Sequence, residues 1–507
     1  MKGEDNSIMG DAANQKLKDN KLLLISLGNI QNYISNARKT IDLYNGSAIV
    51  KRLVLKIQDI LYKQNDDGCF YIEEAQRIDS NSVPNFLLYK ITWNDNEKDN
   101  NKLIEDKIYQ ILRRELEEGD KKEIPLDIDV FIVVEDLNSS YDEAYKQVQE
   151  KFQAYKNNRF QVKKLKEMQC DTVKPDHICS LCGIRYGTEE KKEDKRTDDT
   201  KEYLCNECRN KRGYSYGQNF KSVEDIAKIG NPSGTYYAII RADFDDMGKW
   251  MSGQKMPDNY GNNLYEWQNQ LKQLLKEFFD KIVNIIQKCD NGNSLLIYAG
   301  GDDLLCFCPL SIIISALKKI EEVLDDVWKK TWGIETVFNK KLTMTKCVTI
   351  AHIKTPLKRV VQLSSSYLEK TKQHDKNEKG YVGFAYINSG FEQSFSVIKV
   401  EKLEFIKQIL DGIGIDFSRS IIYELERQLL PLGLKISSTE ETLSQILRND
   451  IQRVVSRKCK NREEHYINAF LMLYFQFIYN KINLEQYFNM LHILDKWAVE
   501  LPNKGGE

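Results

Sequence analysis

The sequence predicts an α+β protein. It has two β-α-β-β-α-β segments, the second complete and the first degenerate, with a small cysteine module inserted between them and a helical bundle after them. Three observations predict this. Apolar residues switch between strand-like runs and three- and four-residue helical steps in that order from Thr235 to Ile387. Two Cys-x-x-Cys pairs interrupt the chain upstream. An acidic hairpin tip, LLIYAGGDDLLCF over Leu295–Phe307, lies inside the second segment.

In chain order, residues 1–20 (MKGEDNSIMGDAANQKLKDN) lack the apolar core of a signal peptide and read as a polar tail. Lys21–Leu27 (KLLLISL) predicts a strand and Ile30–Leu61 a mostly helical stretch. Further strands are expected at Cys69–Ile72, Phe86–Thr92 and Asp129–Val134. Residues 21–165 are thus a looser version of the same order, without an acidic strand end.

Cys179-x-x-Cys182 and Cys205-x-x-Cys208 stand 22 residues apart. A two-residue gap lets both thiolates turn onto one ion, and two such pairs complete a tetrahedral S₄ set for Zn²⁺. A closed S₄ site has no open position for substrate, so its expected role is structural, folding a zinc ribbon over residues 166–225. The spacer EEKKEDKRTDDTKE (Glu189–Glu202) reads as a solvated charged loop. The plainer alternative is four unrelated thiols, which the paired spacing disfavours. Cys170 and His177 lie just upstream as substitute ligands, His177 reading as an ordinary surface histidine. The remaining cysteines, among them Cys306 and Cys308, read as small core residues.

The next domain, residues 226–392, opens with a strand at Thr235–Ala242. A helix follows at Leu264–Ile286, with Leu264, Trp267, Leu271, Leu274, Phe278, Ile282 and Ile285 on one face. Ser294–Ala299 and Leu304–Cys308 form a hairpin. A second helix is expected from about Ser311 to Trp328, then a strand at Met344–His352, a helix started by Thr355-Pro356, and a closing strand at Tyr381–Ile387. From about Ser394 the chain turns helical, with clear apolar periods in Ile467–Tyr479 and Leu484–Leu494, so residues 393–507 are expected to form the bundle.

Composition bounds the function. Against 75 Asp+Glu stand 74 Lys+Arg, a net charge of −1, which excludes gripping nucleic acid by bulk charge alone. No apolar run reaches the ~18 residues that span a bilayer. Eleven cysteines without a secretion signal point to reduced thiols and a cytoplasmic protein.

The order β-α-β-β-α-β is ferredoxin-like, the build of polymerase palms and nucleotide cyclases, and in it the first and third strands are central neighbours. The end of the first strand, Arg241-Ala242-Asp243-Phe244, therefore lies beside the hairpin tip Gly300-Gly301-Asp302-Asp303. Taken alone, GGDD is equally a solvated turn. With Asp243 brought alongside, three carboxylates converge, as two-metal phosphoryl transfer requires. Gly300 and Gly301 leave room for a nucleotide against the backbone.

Four stretches carry a family resemblance: SLGNIQNYISNARKTIDLYNGS (Ser26–Ser47), SVPNF (Ser82–Phe86), DFDDMGKW (Asp243–Trp250) and AHIKTPLKRV (Ala351–Val360). They resemble the large polymerase/cyclase subunit of type III CRISPR effector complexes in its type III-B (Cmr) form, whose two Cys-x-x-Cys pairs also lie between two palms. The resemblance covers roughly Leu22 to Ile387.

It implies a target-RNA-activated nucleotidyltransferase that joins ATP 3′–5′ into cyclic oligoadenylate, a second messenger. Two Mg²⁺ or Mn²⁺ ions would sit on Asp243, Asp302 and Asp303, with Gly300, Gly301 and Phe244 at the nucleotide. Asp42, Gly46 and Ser47 would belong to a second nucleotide pocket, a helix-end turn being their plainer reading. Implied partners are other Cmr-type subunits, CRISPR RNA and target RNA. The basic stretch Arg453–Arg462 would meet guide RNA or a neighbouring subunit, or is a solvated helix end.

Many members begin with an HD nuclease. Here the palm follows about twenty polar residues, and the His374-Asp375 pair sits in the charged run KTKQHDKNEKG, so no DNA-cutting activity is expected. Some members without that nuclease attach AMP to S-adenosylmethionine, which leaves the acceptor open. Two rival readings remain: a GGDEF-type cyclase making a guanine dinucleotide, disfavoured by the Asp-Asp ending, and a non-enzymatic scaffold, disfavoured by three mutually repelling carboxylates.

Overall fold

An unbroken apolar run needs cover on both faces, and Leu22–Ile25 has it. Each of these residues is at most 1% exposed, at the centre of a five-stranded sheet. The computed structural model describes residues 19–501 except 68–69, 73–85, 94–99, 120–124, 126, 138–139, 159–162, 165–176, 190–201, 215–219, 258–262, 289–292, 333–340, 376–377, 430–439, 460–462 and 480–483. Residues 1–18 of the expected polar tail, Cys69, Ser82–Asn85, Cys170, residues 190–201 of the charged spacer and residues 460–462 lie outside the described residues.

The chain divides into two units. The first takes residues 1–30 and 50–171. Its strands are β1 (Asp19–Gly28), β2 (Phe70–Ile72), β3 (Phe86–Trp93), β4 (Asp129–Asp136) and β5 (Lys163–Lys164), in the order β2-β3-β1-β4-β5. Every pairing is antiparallel, and the first four strands follow the ferredoxin-like order. The expected Ile30–Leu61 helix is broken at residues 36–39 into α1 (Ile30–Ser35) and α2 (Thr40–Asp67). Two further helices, α3 (Asn101–Gly119) and α4 (Tyr141–Asn157), pack on β4. Glu105 of α3 is buried, accepting from the Val134 amide at 3.2 Å and the Tyr155 hydroxyl at 2.9 Å.

The second unit takes residues 31–49 and 172–507. Near its start three short strands, β6 (His177–Ile178), β7 (Tyr186–Glu189) and β8 (Tyr203–Leu204), form a small sheet followed by α5 (Asn206–Gly213). A short helix α6 (Val223–Ala227) carries a capping box between Ser222 and Asp225.

A six-stranded sheet follows, in the order β10-β11-β9-β12-β13-β14. The elements are β9 (Tyr236–Phe244), α7 (Met247–Met251), α8 (Leu264–Lys288), β10 (Leu295–Gly300), β11 (Asp303–Cys308), α9 (Ile313–Trp332), β12 (Met344–His352), α10 (Leu357–Lys372), β13 (Tyr381–Ile387) and β14 (Gln393–Lys399). The first and third strands, β9 and β11, pair at the centre as expected. The helices α8 and α9 pack together, and Phe278 and Phe279 of α8 meet Phe244 of β9 edge-on. Trp250, Trp267 and Trp328 lock α7, α8 and α9 to one another.

Two expectations need correcting. The chain does not turn helical at Ser394: β14 adds an antiparallel strand to β13, so the sheet runs past the expected boundary at residue 392. β13, a strand at Tyr381–Ile387 as expected, adds parallel to β12. Thr355 does not cap α10: its hydroxyl is buried without a partner, and Pro356 is the N-cap, its carbonyl accepting the amides of Arg359 and Val360.

The C-terminal helices are α11 (Leu403–Gly412), α12 (Ser420–Leu429), α13 (Glu440–Lys458), α14 (Glu463–Tyr479) and α15 (Leu484–Glu500). α15 packs on β14, where Ser396 donates to the Gln486 carbonyl, and Trp497 lies against Phe384 of β13. Among the described residues no helix is long and apolar enough to cross a membrane.

Candidate active site

Strand pairing alone builds the acidic cluster. Asp303 opens β11 directly opposite Asp243 on β9, and Gly300 of β10 pairs with Asp303, leaving Gly301 and Asp302 as a two-residue turn. Gly301 has φ +65°, the sign at the first turn position that a II′ hairpin asks of glycine. The Phe244 amide donates to the Asp302 carbonyl at 3.1 Å and ties the turn to β9. One oxygen each of Asp243, Asp302 and Asp303 then lie within 4.8 Å of one another, all three residues half-buried.

Like charges this close disfavour ionisation. Burial and the neighbouring Asp303 push Asp302 up to about 6. Burial also raises Asp303, against the Arg241 charge and a hydrogen bond from Gln31. A hard divalent cation takes carboxylate oxygens and supplies the missing positive charge, so this donor set fits Mg²⁺ or Mn²⁺.

The three aspartates of DFDDMGKW part company, because β9 ends at Phe244 and Asp245 and Asp246 lie beyond its pleat. Asp243 faces the cluster. Asp245 is buried and accepts from the hydroxyls of Thr343 and Thr345 at 2.8 and 2.6 Å and from the Gly380 amide at 3.0 Å. Asp246, in the left-handed region at φ 55°, pairs with Lys249 and Lys255.

The second cluster is the four cysteines. Their sulfurs also lie within 4.8 Å of one another, with Cys182 and Cys205 at 4.0 Å, far beyond a disulfide. The Cys179 carbonyl accepts the Gly183 amide at 2.9 Å, and Gly183 at φ +70° lets the knuckle turn. Cys205 is the N-cap of α5. Hydrogen bonds from the other three sulfurs drive the Cys179 thiol down, and the same mutual bonding drives Cys208 up. Four converging thiols match the donor set of tetrahedral Zn²⁺. His177 is not among them; its ring lies tilted against Tyr203, centroids 3.8 Å apart.

Comparison with known proteins follows the same lines. Residues 236–380 match the second palm domain of Cas10/Cmr2. A curated relative, the CRISPR system Cmr subunit Cmr2 of Pyrococcus furiosus, is 33% identical over 112 residues, which is 19% of this chain and only 12% of that protein. A type III-B Cmr-beta apo structure aligns with TM-score 0.63 at 13% identity, covering 88% of this chain and 78% of that one. A Csm1–Csm4 cassette solved with cA4 aligns with TM-score 0.53 at 12% identity, covering 96% and 71%. Residues 236–380 are thus similar to a Cas10/Cmr2 palm, and the chain shares its fold with the Cmr-beta and Csm1–Csm4 structures.

The other expected nucleotide residues sit differently. Phe244 turns its side chain into the core against α8, leaving only its backbone toward the tip. Asp42 is taken up by neighbours of this chain. It is fully buried, both oxygens accept from Arg212 at 2.8 and 2.9 Å, and Oδ2 also accepts the amides of Arg38 and Lys39. Gly46 makes room for a lysine: a Cβ there would meet Lys211 Cε at 2.8 Å. Ser47 is half-buried in the same helix. His374 and Asp375 lie in a turn, the Asp375 carboxylate accepting the Glu378 amide.

Two groups at the carboxylates escaped sequence reasoning. Lys372, the last residue of α10, forms an ion pair with Asp243, while burial and the Lys379 charge pull its ammonium down to about 8. Gln31 donates from Nε2 to Asp303 Oδ2 at 3.0 Å and accepts from Arg241 at 3.2 Å. Neither stretch carries a local signal. Lys372 is one lysine in a lysine-rich run and Gln31 one amide among several.

Proposed function

We propose that this chain is the nucleotidyltransferase subunit of a target-RNA-activated type III complex, making an adenylate second messenger from ATP, with cyclic oligoadenylate as the expected product. The observation that carries the reading is the meeting of Asp243 with Asp302 and Asp303 from a strand end and a remote hairpin tip. The fold is shared with structures solved with cA4, with AMPPNP and with pppApA, and with a Cmr-beta assembly bound to cognate target RNA, which supports the nucleotide and RNA parts of the proposal.

The residues divide the work. Asp243, Asp302 and Asp303 would hold two divalent ions on rigid adjacent strands. Such ions lower the pKa of the acceptor 3′-hydroxyl and neutralise the departing pyrophosphate. The acceptor oxygen attacks the α-phosphorus, its proton passes to solvent or a carboxylate, and pyrophosphate leaves. Gly300 and Gly301 carry no side chain to block the triphosphate. Lys372, beside Asp243, would supply a positive charge to phosphate oxygens. The four cysteines hold a structural Zn²⁺, outside the chemistry.

The test is mass spectrometry of the product made from ATP by the assembled complex with matching target RNA, with and without S-adenosylmethionine. An AMP-containing product that disappears in Asp302→Ala/Asp303→Ala, with assembly and RNA binding intact, is expected. Its form distinguishes a ring of adenylates from a conjugate of S-adenosylmethionine. No AMP-containing product with any acceptor would leave a scaffold subunit as the better reading.

A further inference from the structure

Asp303 is oriented by a residue that belongs to a distant part of the sequence. Gln31 stands on α1, yet clusters with the second unit, and its amide joins two groups there. The amide nitrogen donates to Asp303 and the amide oxygen accepts from Arg241. Arg241 is 5% exposed and lies two residues before Asp243 on the same face of β9.

A direct Arg241–Asp303 salt bridge would consume the negative charge a cation needs. A neutral amide between them passes on orientation but leaves that charge available. Glutamine suits this place because one group donates and the other accepts.

The segment that bears Gln31 is itself held. Lys211 of α5, 2% exposed, donates its ammonium to the carbonyls of Tyr33, Ile34 and Asn36 at 2.5, 3.2 and 3.0 Å, closing the C-terminal end of α1. Its neighbour Arg212 grips Asp42, and Asn45 returns a bond to the carbonyls of Lys211 and Arg212 at 2.8 and 3.0 Å. The helix that bears Cys208 therefore anchors the segment that bears Gln31.

We propose that Gln31 is a positioning residue, fixing the Asp303 carboxylate for metal between itself and Arg241, with α5 as its mount. The proposal rests on reading Asp303 as a metal ligand. Outer partners of metal ligands typically contribute 10–100-fold to metal affinity.

Titration of the full chain with Mn²⁺, followed by the EPR signal of the free ion and without nucleotide, tests it. Gln31→Ala is expected to weaken Mn²⁺ binding about 10-fold while the melting temperature stays that of the parent, since Gln31 is exposed. Its deficit in product formation should shrink as Mn²⁺ is raised, which a merely structural defect would not show. Asp303→Asn serves as reference and should lose binding. If Gln31→Ala binds Mn²⁺ like the parent while Asp303→Asn does not, the positioning role is overturned and the metal reading stands. If Asp303→Asn also binds normally, the metal reading falls and takes the proposal with it.

Discussion

At Asp243, Asp302 and Asp303 the signal was strong because carboxylates inside apolar strands are costly without a partner. Asp42 looked similar in sequence, an acidic residue beside Gly46-Ser47, but its partner Arg212 lies 170 residues away and takes its oxygens. No local pattern shows such a partner. Burial alone would raise Asp42, yet the Arg212 bonds and charge, with the Lys39 and Arg38 amides, hold its carboxyl below the ordinary value. A depressed carboxyl stabilises the fold above its unfolded pKa of about 3.9, and that contribution fades as pH falls through the folded value. Asp42→Asn should therefore cost about 2 kcal/mol at neutral pH by weakening the charge-assisted bonds with Arg212, which keeps its pair with Glu202. Urea melts should show the gap to the parent constant down to about pH 4 and narrowing below it. For Lys372, alanine is expected to raise KM for ATP about tenfold, or roughly 1.4 kcal/mol, in steady-state pyrophosphate release. An unchanged KM would deny Lys372 any hold on the triphosphate.

Among elements, legibility followed the regularity of the apolar pattern. β9, α8, the hairpin and β12 have unbroken runs or clean helical steps, and the structure places them within a few residues of expectation. β14 was missed because QSFSVIK dilutes its apolar residues with polar ones, though Val397 and Ile398 are buried. α3 was missed despite Ile104, Ile108, Leu112 and Leu116 at four-residue steps, all buried, because charged residues surround them. The cysteine knuckles were legible from spacing alone. If they hold Zn²⁺, the purified chain should contain one zinc by elemental analysis. Cys205→Ser/Cys208→Ser should release it and lower the melting temperature, since a structural site couples its binding energy to folding. Equal melting temperatures with and without the metal would make the sulfurs dispensable. Because α5 also bears Lys211, the loss should reach residues 31–49 and show there as faster amide exchange.

Across the whole molecule, the two compact units do not follow chain order. A linear reading ends one domain at residue 165 and begins the next, because composition and cysteines change there. The structure instead assigns residues 31–49 to the second unit through bonds such as Arg212–Asp42 and Gln31–Asp303. A buried ion pair of that reach leaves no mark on either local sequence.

That assignment matters to anyone who dissects the gene. A fragment spanning only residues 172–507 would leave the buried Lys211 without the carbonyls of Tyr33, Ile34 and Asn36, and Arg212 with Glu202 but not Asp42. It should be poorly soluble alone and rescued in trans by a synthetic peptide of residues 31–49, a complementation readable as recovered yield on gel filtration. Equal behaviour with and without the peptide would mean that this borrowed strip is ornamental to the larger half.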